Sequence, residues 1–174
     1  MIFRRPDPPP HDPGLSYLHI TEVRDAEFYV GPLFRRKFGH PPPDYPRHFI
    51  AFYRHGAHHF APLGYMHVLP AGRIALIGGA CTDGQVFKLM TEQQARGIKD
   101  AGGVMYNLLR HVFTHLTEYE GFFGNVGNPR AEAVDLQAGF RHTGVPRLIA
   151  YFPRPITPWR KKRLIRRVAA MGTF

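Results

Sequence analysis

The sequence predicts an α+β domain, with a central, largely antiparallel mixed sheet flanked by helices. Three observations predict it. Three β-rich runs lie between His48 and Cys81, joined by short links that contain glycine, the pattern of consecutive antiparallel hairpins. Further on, Val104, Met105, Leu108, Leu109, Val112, Phe113 and Leu116 form one apolar stripe at helical spacing, with Asn107, Arg110, His111 and Thr114 opposite. Beyond that stripe, strand-like and helical segments alternate, as in a βαβ-like half. The length, 174 residues, suits one domain.

Residues 1–14 contain Pro6, Pro8, Pro9, Pro10 and Pro13. Proline fixes φ and supplies no ladder donor, so an extended arm is expected there. Residues 15–23 alternate well enough for a first strand. Residues 24–38 have helical content, with a break expected near Gly31-Pro32, and His40-Pro41-Pro42-Pro43 makes a stiff connector. Strands are expected over residues 48–53, 63–69 and 73–81, with turns at 54–59 and 70–72. Thr91-Glu92-Gln93-Gln94 reads as a capping box: Thr91 accepts from a backbone donor, and Gln94 reaches back. That helix meets Gly102-Gly103, where the striped helix starts. Residues 121–127 are a buried-strand candidate. Pro129 and Gly139 bracket a short helix, and residues 148–152 form a last strand. Thr157-Pro158 opens a final helix over residues 158–171, expected to pack through Trp159, Ile165 and Val168.

Composition narrows the class. Hydrophobic residues at 44% suit a globular protein. No apolar run approaches the ~18 residues of a membrane span. The first residues lack the apolar core of a signal peptide, and Cys81 is the single cysteine, which excludes an internal disulfide and a cysteine-rich metal site. A cytoplasmic home is the expectation. The net charge of +10 is uneven: Arg154, Arg160, Lys161, Lys162, Arg163, Arg166 and Arg167 lie after residue 153 with no acid among them. The expected organisation is therefore an arm over 1–14, a domain over 15–153 and a basic helix over 154–174 docked on that domain. Its arginines and lysines offer contacts for nucleic-acid phosphates or an acidic surface.

In the segment from Asn128 to Phe140, an asparagine is followed by Ala131 three positions later and by Gly139-Phe140 at positions eleven and twelve. This resembles a characteristic element of the GNAT superfamily of acyl-CoA N-acyltransferases. Gly64-Tyr65-Met66 resembles the Gly-Tyr-Ile of that family's third strand, and the order of elements agrees. The resemblance spans about residues 15–152. It implies a GNAT-like fold and direct transfer of an acetyl or other acyl group from acetyl-CoA, or another acyl-CoA, to an amine on a small molecule or peptide. In that family the thioester enters a gap between the fourth and fifth strands. The resemblance places Ile77, Gly78, Gly79, Ala80 and Cys81 along the gap, and makes Gly102 and Gly103, at a helix start, and Asn128 further candidates for cofactor binding. Backbone amides from Gly79 to Cys81 would polarise the thioester carbonyl.

Two positions depart from the family pattern. The pyrophosphate loop, Arg/Gln-x-x-Gly-x-Gly/Ala, has only partial counterparts. Arg96-Gly97-Ile98-Lys99 puts lysine where a small residue belongs, and Lys99-Asp100-Ala101-Gly102-Gly103 brings an acid beside the phosphates. Asp135 stands where the family usually has the tyrosine that protonates the departing thiolate. An exposed aspartate, ordinarily titrating near about 3.9, is ionised at neutrality and does not serve as that acid.

A base must take a proton from the attacking ammonium. His67, on a central strand, and Asp83, after the third hairpin strand, are the candidates. Gly78-Gly79 serves either cofactor approach or a strand bulge. Gly102-Gly103 serves either as an anion-binding start or as a simple helix break. His55, His58 and His59 read as a solvated turn, since no fixed fourth ligand accompanies them, and no metal is expected. Cys81 reads as packing, because no partner signature accompanies it. The expected function is N-acyl transfer. The alternatives are a fold-retaining member without catalysis that acts in binding or scaffolding, and a polyanion-binding protein acting through its basic tail.

Overall fold

In the computed structural model of the chain, residues 15–44 and 47–174 are described; the proline-rich arm lies outside them. Strands β1 (Leu18–Val23), β2 (Arg47–Arg54), β3 (Phe60–Ala71), β4 (Ile74–Thr82), β5 (Gly121–Asn125), β6 (Arg141–His142) and β7 (Leu148–Tyr151) form one sheet in the order β1-β2-β3-β4-β5-β7-β6. Every pairing is antiparallel except β4 with β5, so the sheet is mixed as expected.

The pleat sends alternate residues to opposite faces. Phe49, Met66, Val68, Ala75 and Phe122 face α2 (Glu92–Asp100), α3 (Val104–His115) and α4 (Pro129–Ala138). Ile50, Phe52 and Tyr65 face α1 (Ala26–Phe38). Ile74, Leu76, Phe123 and Leu148 receive α5 (Pro158–Ala169). The stripe read on α3 is its core face: Val104, Leu108, Leu109, Val112 and Phe113 are buried, each contributing roughly 1.5–3 kcal/mol. The α2 capping box is complete. The Gln94 amide donates to Thr91 Oγ1 at 3.2 Å, and the Thr91 amide donates to Gln94 Oε1 at 3.0 Å. Asn128 and Thr157 likewise cap α4 and α5, each ahead of a proline in the first turn.

Three expectations are corrected. Helix α1 runs through Gly31-Pro32 without a break. The carbonyl that Pro32 leaves unpaired belongs to Phe28, a solvent-facing residue that is 75% exposed. Strand β1 begins at Leu18, because residues 15–17 form a turn. Helix α5 docks through Leu164 and Val168 with Ile165 beside them, whereas Trp159 is 68% exposed and lies under the Arg163 guanidinium. At 100° per residue, Trp159 stands far round the helix from Leu164.

Candidate active site

Strands β4 and β5 pair only from Ile74↔Gly121 to Ile77↔Gly124. Beyond that point β4 stays with β3 and β5 stays with β7, Asn125 pairing with Leu148, so the two strands part. The parting opens a cleft of about 390 Å³. Ile77, Gly78, Gly79 and Ala80 line one wall, Gly124 to Asn128 the other, and Met105 of α3 and Asp135 of α4 reach in.

The β4 wall is irregular. Tyr65 pairs with Cys81 but His67 pairs with Gly78, so β4 carries one residue more than β3 across this stretch. This is a bulge, and Gly79 sits in it at φ +49°, where an L side chain is strained. The glycines are also required by what lies over them. A Cβ on Gly78 would stand 2.8 Å from His67 Nε2, and one on Gly79 would stand 2.6 Å from His67 Nδ1. The Nε2, Cε1 and Nδ1 atoms of the imidazole thus pack closely over the two glycines.

His67 belongs to a second, more open cavity of about 890 Å³ beneath α1 and the proline connector. Phe34, Phe38, His40, Pro41 and Asp44 line it, and Gly79, Phe38 and Phe174 border both cavities. Burial, with His48 and His40 nearby, pushes the His67 imidazolium down to about 4, so the ring is neutral at physiological pH. Its Nδ1 lies 3.4 Å from the Tyr65 hydroxyl, which lies 2.8 Å from His48 Nδ1. Tyr65 is wholly buried and His48 is 3% exposed. Burial holds the Tyr65 phenol well above its ordinary range and the His48 imidazolium below its own.

The other candidates fall in different places. Asp83 pairs with Arg36 at 2.9 Å and accepts from the Gln85 amide, apart from both cavities. Cys81 packs in the cluster under α1, outside the lining of either cavity, and burial pushes its thiol up to about 11. Asn128 borders the cleft while its side chain accepts from the Arg130 amide. Gly102 and Gly103, both at positive φ, break α2 from α3, and Tyr106 folds over Gly102. Gly103 gives α3 no side-chain cap. His55, His58 and His59 occupy the β2–β3 turn.

Asp135 departs from its expected setting. It is half-buried at the cleft, its carboxyl has no hydrogen-bond partner among the described residues, and desolvation with Glu132 nearby pushes that carboxyl up to about 6. The sequence points to no role for Asn125 or His48, and Tyr65 enters it only within the Gly64-Tyr65-Met66 resemblance. Asn125 Nδ2 is buried at the cleft without a partner among the described residues. Strand alternation signals that Tyr65 shares a face with His67; the cross-strand register that adds His48 is a property of the fold. On α5, Arg160 pairs with Glu120, Lys161 and Arg163 lie over the Phe152 and Trp159 rings, and Arg167 donates to the Ala71 carbonyl.

No family model and no curated protein sequence matches the chain. Solved structures do. The ribosomal-protein-S18-alanine N-acetyltransferase from Escherichia coli superposes with a TM-score of 0.52 at 11% identity, over 81% of this chain and 97% of that one. The catalytic domain of the Tetrahymena GCN5 histone acetyltransferase in complex with coenzyme A superposes with a TM-score of 0.50 at 12% identity, over 83% and 98%. With its mixed seven-stranded sheet parted between β4 and β5, the chain has the fold of the GNAT acetyltransferases.

Proposed function

We propose that the protein is an acyl-CoA N-acyltransferase. The acyl thioester lies in the cleft between β4 and β5, the acceptor amine enters through the cavity under α1, and the two meet at Gly79. The observation that carries this reading is the adjacency of two cavities across the bulge at Gly79, one between the parted strands β4 and β5 and one bordered by a neutral imidazole. Holding thioester and amine in line supplies much of the rate. A bulge leaves backbone groups outside the ladder, and in this reading backbone amides from Gly79 to Cys81 would polarise the thioester carbonyl. The unpartnered Asn125 Nδ2 supports a polar ligand in the cleft.

His67 is the base in this reading, since it borders the acceptor cavity, whereas Asp83 is held away by Arg36. The CoA diphosphate would lie toward the start of α3, where the first-turn amides have no side-chain cap. Lys99 stands where a small residue belongs and Asp100 brings an acid beside the loop, so affinity is expected to be weak. Acetyl-CoA is the simplest donor.

The test is incubation with acetyl-CoA and a panel of primary amines, following release of free thiol. Thiol release that depends on the amine supports the reading, as does its loss in His67→Ala with acetyl-CoA binding retained. No release with any amine, together with no binding of acetyl-CoA at millimolar concentration, overturns it.

A further inference from the structure

His67, Tyr65 and His48 present two ring nitrogens to one hydroxyl. A hydroxyl has one proton, and the wholly buried Tyr65 hydroxyl has no third partner among the described residues, so it donates to one imidazole and accepts from the other. Both rings are held in the neutral form by burial. One ring therefore carries its proton on Nδ1 and the other on Nε2. The arrangement has a direction, and the direction decides what the site can do. If Tyr65 donated to His67, His67 would carry its proton on Nε2 and have no lone pair left for a substrate. If His67 donates to Tyr65, its Nε2 is a free lone pair. Among the described residues Nε2 has no hydrogen-bond partner, and His67 borders the second cavity.

We propose that His67, the Tyr65 hydroxyl and His48 form a one-way proton relay that carries the proton of the acceptor amine out of the site, with His67 protonated on Nδ1 and His48 on Nε2 at rest. The proposal rests on the acyl-transfer reading. The ammonium gives a proton to His67 Nε2, the Nδ1 proton of His67 passes to the Tyr65 oxygen, and the Tyr65 proton passes to His48 Nδ1. The freed amine lone pair attacks the thioester carbonyl carbon, the C–N bond forms, and the C–S bond breaks with its electron pair leaving on the CoA thiolate. The second proton of the attacking nitrogen ends on that thiolate. His48 holds the relayed charge. Glu22 of β1 and Asp44 of the connector favour it there, while His40 and His48 both disfavour charge on His67. Cys81 faces Tyr65 and disfavours a phenolate, which suits a hydroxyl that passes protons without ionising. A neutral imidazole that binds a proton poorly becomes an effective base when the proton does not stay on it.

The first experiment needs neither substrate nor variant: long-range ¹H–¹⁵N correlation spectra of the histidine rings at neutral pH. The expected result is Nδ1–H for His67 and Nε2–H for His48. Any other pair of tautomers overturns the relay. The second uses Tyr65→Phe, checked for folding by circular dichroism, in the acetyl-CoA and amine assay. The expected result is a fall in kcat of about tenfold or more with KM for acetyl-CoA unchanged. The solvent-isotope proton inventory should change from curved to linear. An unchanged kcat overturns the relay while leaving the acyl-transfer reading in place. Expected tautomers with no transfer to any amine overturn the acyl-transfer reading, and the relay falls with it.

Discussion

Replacing Asp135 by asparagine isolates the most unusual electrostatic feature of the cleft. The carboxyl is half-buried with no hydrogen-bond partner among the described residues, and desolvation pushes it up to about 6, against an ordinary value of about 3.9. Between those values the folded chain keeps a proton that the unfolded chain releases. The unfavourable charge is therefore absent below about pH 4, grows through the window, and is fully present above about pH 6. Two units at about 1.4 kcal/mol each set an upper bound near 3 kcal/mol, and residual solvent screening brings the expected gain to about 1–2 kcal/mol. Asp135→Asn should thus be more stable than the parent by that amount at about pH 7.5 and nearly equal to it at about pH 4. His67 shifts the opposite way. Its pKa is depressed to about 4, so its contribution to stability is lost as pH falls from about 6.5 toward that value. The comparison is therefore variant against parent at each pH, where the His67 contribution cancels. Urea unfolding followed by circular dichroism is the assay, because Trp159 is exposed and reports poorly on the core. A stability difference that does not change with pH would show that Asp135 is solvated and that the account of its burial is wrong.

Leu164→Ala should cost about 2–5 kcal/mol in chemical unfolding, while Trp159→Ala should stay within about 0.5 kcal/mol; equal costs would contradict the observed docking face of α5. Thr91→Ala should cost about 1 kcal/mol by the same measurement, since it removes one half of the α2 capping box; no loss would mean that water serves the Gln94 amide equally well. Gly79→Ala should displace the His67 ring and strain the bulge, which His67 ring resonances would report as a large shift; unchanged resonances would contradict the close approach.

What the sequence made legible was whatever local chemistry decides. The α3 stripe, the α2 capping box and the proline starts of α4 and α5 depend on residues a few positions apart, and each stands where it was read. The hairpins β2–β3 and β3–β4 followed from glycine-containing links. Tertiary context decided the rest. Pro32 is tolerated because the bond it removes falls on the solvent face of α1. The two-residue strand β6 is too short to leave a pattern. At the site, His67 was legible as a titratable residue on a central strand, but its contact with the glycine bulge and its link through Tyr65 to His48 need the cross-strand register. Asp135 read as an exposed helix residue because helical spacing does not reveal that α4 borders a cleft.

The central claim is that the parted strands β4 and β5 hold an acyl-CoA. The chain has five methionines, Met1, Met66, Met90, Met105 and Met171. Met66 and Met105 line the cleft, whereas Met90 and Met171 do not. Titration of methyl-¹³C-methionine protein with acetyl-CoA, read as methyl chemical shifts, is the most direct test. The account predicts saturable shifts of Met66 and Met105 with Met90 and Met171 unmoved. Shifts confined to Met171, at the end of the basic helix, or no shifts at millimolar acetyl-CoA, would contradict it.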